Sequence, residues 1–93
     1  MKCLIVEDDA RIAGVARNSL RAAGFLVHEE RDGNAALERI LGEPFDVVIL
    51  DIMLPGRDGL SILREMRARG VTTPVLILTA RSGLTERVEG LDM

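Results

Sequence analysis

Four acidic residues and one hydroxyl stand where apolar runs end. Val47 to Leu50 lead into Asp51, Cys3 to Val6 into Glu7, Asp8 and Asp9, and Val75 to Leu78 into Thr79. Short runs rich in β-branched residues and bounded by turn signals read as buried strands. The residue that closes such a strand sits at its carboxyl end, where open parallel α/β sheets gather ligands and chemistry. Carboxylates brought close together repel one another, a cation relieves that repulsion, and hard oxygen donors suit Mg²⁺. Asp8 and Asp51 would then be direct ligands, with the longer Glu7 acting through water. Asp51 would be the nucleophile that accepts a phosphoryl group as an acyl phosphate. The Thr79 hydroxyl, with backbone N–H groups of nearby loops, would bond the phosphoryl oxygens. Taken singly, each residue has a plainer role: Asp51 in a turn, Asp8 and Asp9 as helix caps, Thr79 as a strand former. Asp9 fits the cap role. The convergence of Glu7, Asp8, Asp51 and Thr79 on one edge favours the chemical reading.

That convergence depends on the elements between them. After the strand Lys2–Val6, the apolar residues Ile12, Val15, Ala16, Leu20 and Ala23 fall on one helical face, and Gly24 ends the helix. Phe25–Glu30 reads as an edge strand. Asp32 caps a second helix through Leu41, which carries Ala36, Leu37, Ile40 and Leu41 on its inner face. Asp46–Leu50 is the third strand, and Asp58 caps a helix over Gly59–Arg69. Pro74–Thr79 is the fourth strand. Leu84, Val88 and Leu91 then recur at helical spacing and predict a last helix. Strictly alternating strands and helices imply a parallel sheet covered on both faces. The expected fold is α/β, a flavodoxin-like doubly wound sheet of strand order 2-1-3-4.

Composition narrows the field. Ninety-three residues make one small domain, and a net charge of −3 with both signs interspersed leaves no broad basic face for nucleic acid. With no Trp or Tyr and two Phe, stacking on bases has little to work with. No apolar run is long enough to cross a membrane, and the acids after Val6 do not suit a signal peptide, so a cytoplasmic location is expected. The single cysteine, Cys3, reads as a small buried hydrophobe. His28 has no second ligand at metal spacing and reads as a surface or rim residue. Arg64, Arg67 and Arg69 read as a solvated helix face. Neither GxGxxG nor a Walker A loop is present, so dinucleotide and ATP binding have no support.

Ile5-Val6-Glu7-Asp8-Asp9, Val48 through Gly56, Asp58-Gly59 and Leu76 through Arg81 together resemble the receiver domain of two-component response regulators, the CheY-like fold. Met53-Leu54-Pro55-Gly56 and Arg87 through Asp92 are similar to the subfamily that precedes a winged-helix DNA-binding domain, the OmpR/PhoB type. The resemblance implies that Asp51 is the phosphoacceptor and that Glu7 and Asp8 handle Mg²⁺, with the Met53 carbonyl completing the metal site. It implies that Thr79 is a switch hydroxyl, that Ala80 is the small residue beside it, and that Met53, Thr79 and Ala80 hold the phosphoryl oxygens. The implied donor is a phosphohistidine on a sensor histidine kinase, with small acyl phosphates as substitutes. The implied output is transcription through a DNA-binding domain outside this chain.

One departure bears on this. The family's fifth strand carries a phosphate-binding Lys and a switch aromatic, and this chain stops at Met93 with Lys2 as its only lysine. The expectation is an incomplete receiver domain over residues 1–93, either part of a longer protein or a truncation lacking the fifth strand and helix. A truncation would leave the fourth strand as an open edge, inviting strand exchange or homodimerisation. Three functions compete. The first is a phosphorylatable receiver, which transfers the phosphoryl group to itself and is not a turnover enzyme. The second is a pseudo-receiver that binds partners or dimerises without phosphorylation. The third, an aspartyl phosphotransferase or phosphatase, commonly needs an acid two residues past the nucleophile, where Met53 stands.

Overall fold

The computed structural model describes residues 1–79 and 85–88. Its elements are β1 (Lys2–Val6), α1 (Ala10–Ala22), β2 (Leu26–Glu30), α2 (Gly33–Gly42), β3 (Val47–Asp51), α3 (Gly59–Ala68), β4 (Val75–Thr79) and β5 (Thr85–Val88). β2, β1, β3 and β4 form the expected parallel 2-1-3-4 sheet. Alternate residues face opposite sides. Leu4, Val6, Val48, Leu50, Val75 and Ile77 pack with Ala36, Leu37, Ile40, Ile62, Leu63 and Met66 of α2 and α3. Cys3, Ile5, Val27 and Ile49 pack with Ala13 of α1 on the other side. Burial on both faces is why β1, β3 and β4 read as apolar runs rather than as alternating ones, while edge strand β2 turns polar at His28.

The helices start where acids cap them. Asp9 accepts from the N–H groups of Arg11 and Ile12, Asp32 from those of Asn34 and Ala35, and Asp58 from that of Ser61. α1 ends at Gly24 and α3 at Gly70, with φ of 94° and 82°, the left-handed conformation that a helix stop favours in glycine.

The structure departs from the sequence reading in four places. First, the predicted last helix does not form over its described part. Thr85–Val88 is instead a strand antiparallel to β4, pairing Leu76 with Val88 and Thr79 with Thr85. Leu84 and Leu91 lie outside the described residues. The fold therefore holds a fifth strand, although one that runs against the others, and β4 is not an open edge. Pairing supplies partners to β4's outer N–H and C=O groups, which a helix could not do. Second, two residues leave their expected inner faces: Val15 is 65% exposed and Leu41 is exposed too, so α1 seats on the sheet through Ala13, Ala16 and Leu20, and α2 through Ala36, Leu37 and Ile40. Third, His28, on edge strand β2, is half-buried and partnered rather than free at the surface. The Arg39 guanidinium lies 3.1 Å from its Nδ1, and the Phe45 ring meets it edge-on at 6.1 Å. Fourth, Arg67 turns inward and donates to the carbonyls of Val71 and Thr73, both at 2.7 Å, while Arg64 and Arg69 stay exposed. The residues leaving α3 have no ladder partners of their own, so a guanidinium fork supplies them.

Candidate functional site

The site is built from the carboxyl ends of β1 and β3. Val6 and Leu50 are register partners, so the next residues, Glu7 and Asp51, emerge side by side. The Glu7 N–H donates to the Glu30 carbonyl at 3.0 Å, which continues the sheet's pairing one step past β1. Both side chains are buried, Glu7 to 4% exposure and Asp51 to 6%, while Asp8 is exposed at the rim. Carboxylate oxygens of Glu7, Asp8 and Asp51 all lie within 4.8 Å of one another. Asp9 does not join them. Its side chain caps α1, and its N–H donates to Glu7 Oε2 at 3.1 Å.

The electrostatics follow from this crowding. Burial pushes the Glu7 carboxyl up from 4.5 to about 7. The Asp9 N–H opposes that shift, and the charges of Asp51 and Asp8 reinforce it. Buried, converging carboxylates of this kind are a cost that a divalent cation removes, and their hard oxygens suit Mg²⁺. Asp51 Oδ1 accepts from the Met53 N–H at 3.3 Å, which fixes the orientation of the carboxylate. A shallow cleft of about 550 Å³, lined by Asp8, Ile52, Met53, Leu54, Pro55 and Asp58, opens beside the acids.

The remaining expected site residues are placed as follows. Met53 lies in the loop after β3, with 58% of its surface exposed. Asp51 pairs with Leu78, so Thr79 closes β4 at the same sheet edge as the acids. Ala80 lies outside the described residues. Sequence reasoning missed Gly59. Its N–H donates to the Ile52 carbonyl at 2.8 Å, and a Cβ there would run into the Asp51 carbonyl. The only signal for that close approach was a glycine just after the capping Asp58.

A parallel sheet with three clustered carboxylates at its switch point and a loop from the central strand leading to a cleft defines a class, the receiver-type α/β domain. The comparisons agree. Residues 3–93 match the response regulator receiver domain, and the chain belongs to that family. It is 48% identical over 91 residues to the transcriptional regulatory protein QseB of Escherichia coli O157:H7, covering 98% of this chain and 42% of that protein. The receiver domain of the Francisella response regulator 1452 superposes with a TM-score of 0.82 at 34% identity, over 88% of this chain and 68% of that one. The receiver domain of sensor histidine kinase PA1611 from Pseudomonas aeruginosa PAO1, which has a magnesium ion coordinated in its active site cleft, superposes at 0.81 with 33% identity, over 88% and 69%. The chain spans about two fifths of the length of the curated relatives it matches, 42%, 37% and 42% for the first three. It is thus a receiver domain of two-component response regulators, and the relatives it matches include transcriptional regulators.

Proposed function

We propose that Asp51 is the phosphoacceptor and that Glu7, Asp8, Asp51 and the Met53 carbonyl hold Mg²⁺. The observation that carries this reading is the meeting of three carboxylates within 4.8 Å at the end of β1 and β3, two of them buried. When bound, Mg²⁺ neutralises charge on the acids and on the phosphoryl oxygens. The Met53 N–H engages Asp51 Oδ1 and leaves Oδ2 to attack phosphorus. A P–O bond forms to Asp51 as the donor's P–N bond breaks, its electron pair passing to the imidazole nitrogen of a phosphohistidine. Thr79 and Ala80, at and after the end of β4, bond the phosphoryl oxygens, and Thr79 acts as the switch hydroxyl.

The donor on this reading is a sensor histidine kinase, and a cytoplasmic location goes with that partner. The output is transcription through a DNA-binding domain outside this chain, as the subfamily resemblance implies. The transfer is made by the domain to itself, without turnover. Among the described residues no helix is long and apolar enough to cross a membrane.

Intact mass after incubation with acetyl phosphate, with and without Mg²⁺, tests this reading beside Asp51→Asn. The expected result is one added phosphoryl group that requires both Mg²⁺ and Asp51. Folded protein that takes none supports the pseudo-receiver reading instead.

A further inference from the structure

The loop between β3 and α3, residues 52–58, carries Met53 and lines the cleft. It leans on the start of α2. The N–H groups of a helix's first turn have no partner within it, and here those of Gly33, Asn34 and Ala35 each find one outside it, while Ala36 makes the first bond of the helix ladder. Asn34 and Ala35 donate to Asp32 Oδ2 at 2.9 and 3.0 Å. Ala36 donates to the Asp32 carbonyl at 3.0 Å, and Gly33 donates out of the helix to the Pro55 carbonyl at 3.0 Å. The approach is so close that Gly33 has no room for a side chain. A Cβ there would land on the Arg57 carbonyl oxygen and come within 3.0 Å of Arg57 Cβ. Gly56 answers from the loop side. Its φ is 80°, and a Cβ there would strike the Asp32 carboxylate. The Arg57 N–H closes the turn on the Pro55 carbonyl at 2.9 Å. Two glycines from separate segments thus shape one contact between α2 and the loop.

We propose that Gly33 is a positioning residue for the phosphoacceptor site. The start of α2 holds residues 52–58, and with them Met53, in the arrangement that receives the cation and the phosphoryl group. This rests on the reading of Asp51 given above. The two nearest atoms that a methyl on Gly33 would meet, the Arg57 carbonyl oxygen and carbon, are backbone, and the third, Arg57 Cβ, is fixed to it, so none can rotate aside as the end of a flexible side chain can. The loop must therefore shift. Because the Met53 N–H also orients Asp51 Oδ1, a shift disturbs ligand and nucleophile together. Loss of a group bonded directly to a ligand, as the Met53 N–H is to Asp51, costs a metal site about 10- to 100-fold in affinity or activity.

The test compares Gly33→Ala with wild type, using Gly42→Ala as control. Gly42 is in the same helix, and a Cβ added there meets nothing within 4 Å. The chain has no Trp or Tyr to report optically, so MgCl₂ titrations are followed by amide NMR shifts of residues 52–58. Phosphorylation by acetyl phosphate at subsaturating Mg²⁺ is measured alongside. Gly33→Ala should weaken Mg²⁺ binding by about tenfold or more and slow phosphorylation, with Gly42→Ala unchanged. A folded Gly33→Ala with wild-type Mg²⁺ affinity, even if its melting point is lowered, overturns the proposal. Where that variant does not fold, hydrogen exchange in the wild type decides. Mg²⁺ should slow exchange at the Gly33 amide, whose acceptor belongs to the loop, and unchanged exchange overturns the proposal. A wild type that binds Mg²⁺ but takes no phosphoryl group at Asp51 overturns the phosphoacceptor reading instead, and leaves the effect of Gly33→Ala on Mg²⁺ affinity still readable.

Discussion

Glu7→Gln should stabilise the metal-free protein at pH 8 and do little at pH 5. Glu7 is 4% exposed, and burial with two neighbouring acids raises its carboxyl from 4.5 to about 7 in the fold. Between those values the folded chain binds more protons than the unfolded one, so stability falls as pH rises. The contribution is fully present below 4.5 and is lost as pH passes about 7. With 1.36 kcal/mol per pKa unit, ionised Glu7 costs the fold about 3 kcal/mol at pH 8 and under ~1 kcal/mol at pH 5. Glutamine matches the protonated acid in shape. It keeps an oxygen for the Asp9 N–H and can donate to Asp51. Urea unfolding with EDTA present should therefore show Glu7→Gln more stable than wild type by roughly 2–3 kcal/mol at pH 8. For a small domain that is a midpoint shift of roughly 1–2 M. At pH 5 the two curves should nearly coincide. Mg²⁺ should narrow the gap at pH 8, because it binds the wild type more tightly and stabilises by linkage. An equal gain at both pH values, or a loss at pH 8, would refute the claim that crowded, buried charge sets the behaviour of this site.

Two further outcomes follow from the packing. Gly59→Ala forces a methyl against the Asp51 carbonyl and Ile52 Cα, both backbone, and should destabilise by roughly 1–3 kcal/mol in thermal or urea melts while weakening Mg²⁺ binding. Arg67→Ala removes the donors to the Val71 and Thr73 carbonyls and should cost about 1–2 kcal/mol, with faster hydrogen exchange at the start of β4 and no change in Mg²⁺ affinity.

The parallel sheet was legible because its evidence is local. β1, β3 and β4 are short apolar runs, β2 reads as an edge strand, and Asp9, Asp32 and Asp58 cap helices that start where the sequence puts them. The acids were legible as a group because a strand's last residue is fixed in direction once the strand is. Other features were not legible, for different reasons. Helical periodicity tolerates neighbouring phases, so Val15 fitted the stripe on paper, while small Ala13 and Ala16 let α1 approach the sheet closely. The helical spacing of Leu84, Val88 and Leu91 competed with the unpaired edge of β4, and over Thr85–Val88 backbone pairing prevailed. Arg67 reads as one more surface charge until the carbonyls leaving α3 are seen to need donors.

By itself, then, the sequence determined the order of elements, the caps and the chemical types gathered at the carboxyl edge. These depend on residues within a few positions of one another. Tertiary structure alone decided how closely those groups meet. The burial that shifts Glu7 and the contact of Gly33 with the 52–58 loop each join segments distant in the chain, and the approach of Gly59 to the Asp51 carbonyl is set by how α3 packs back on β3. Desolvation and steric exclusion act on distances in space, and those distances exist only after the layers have packed.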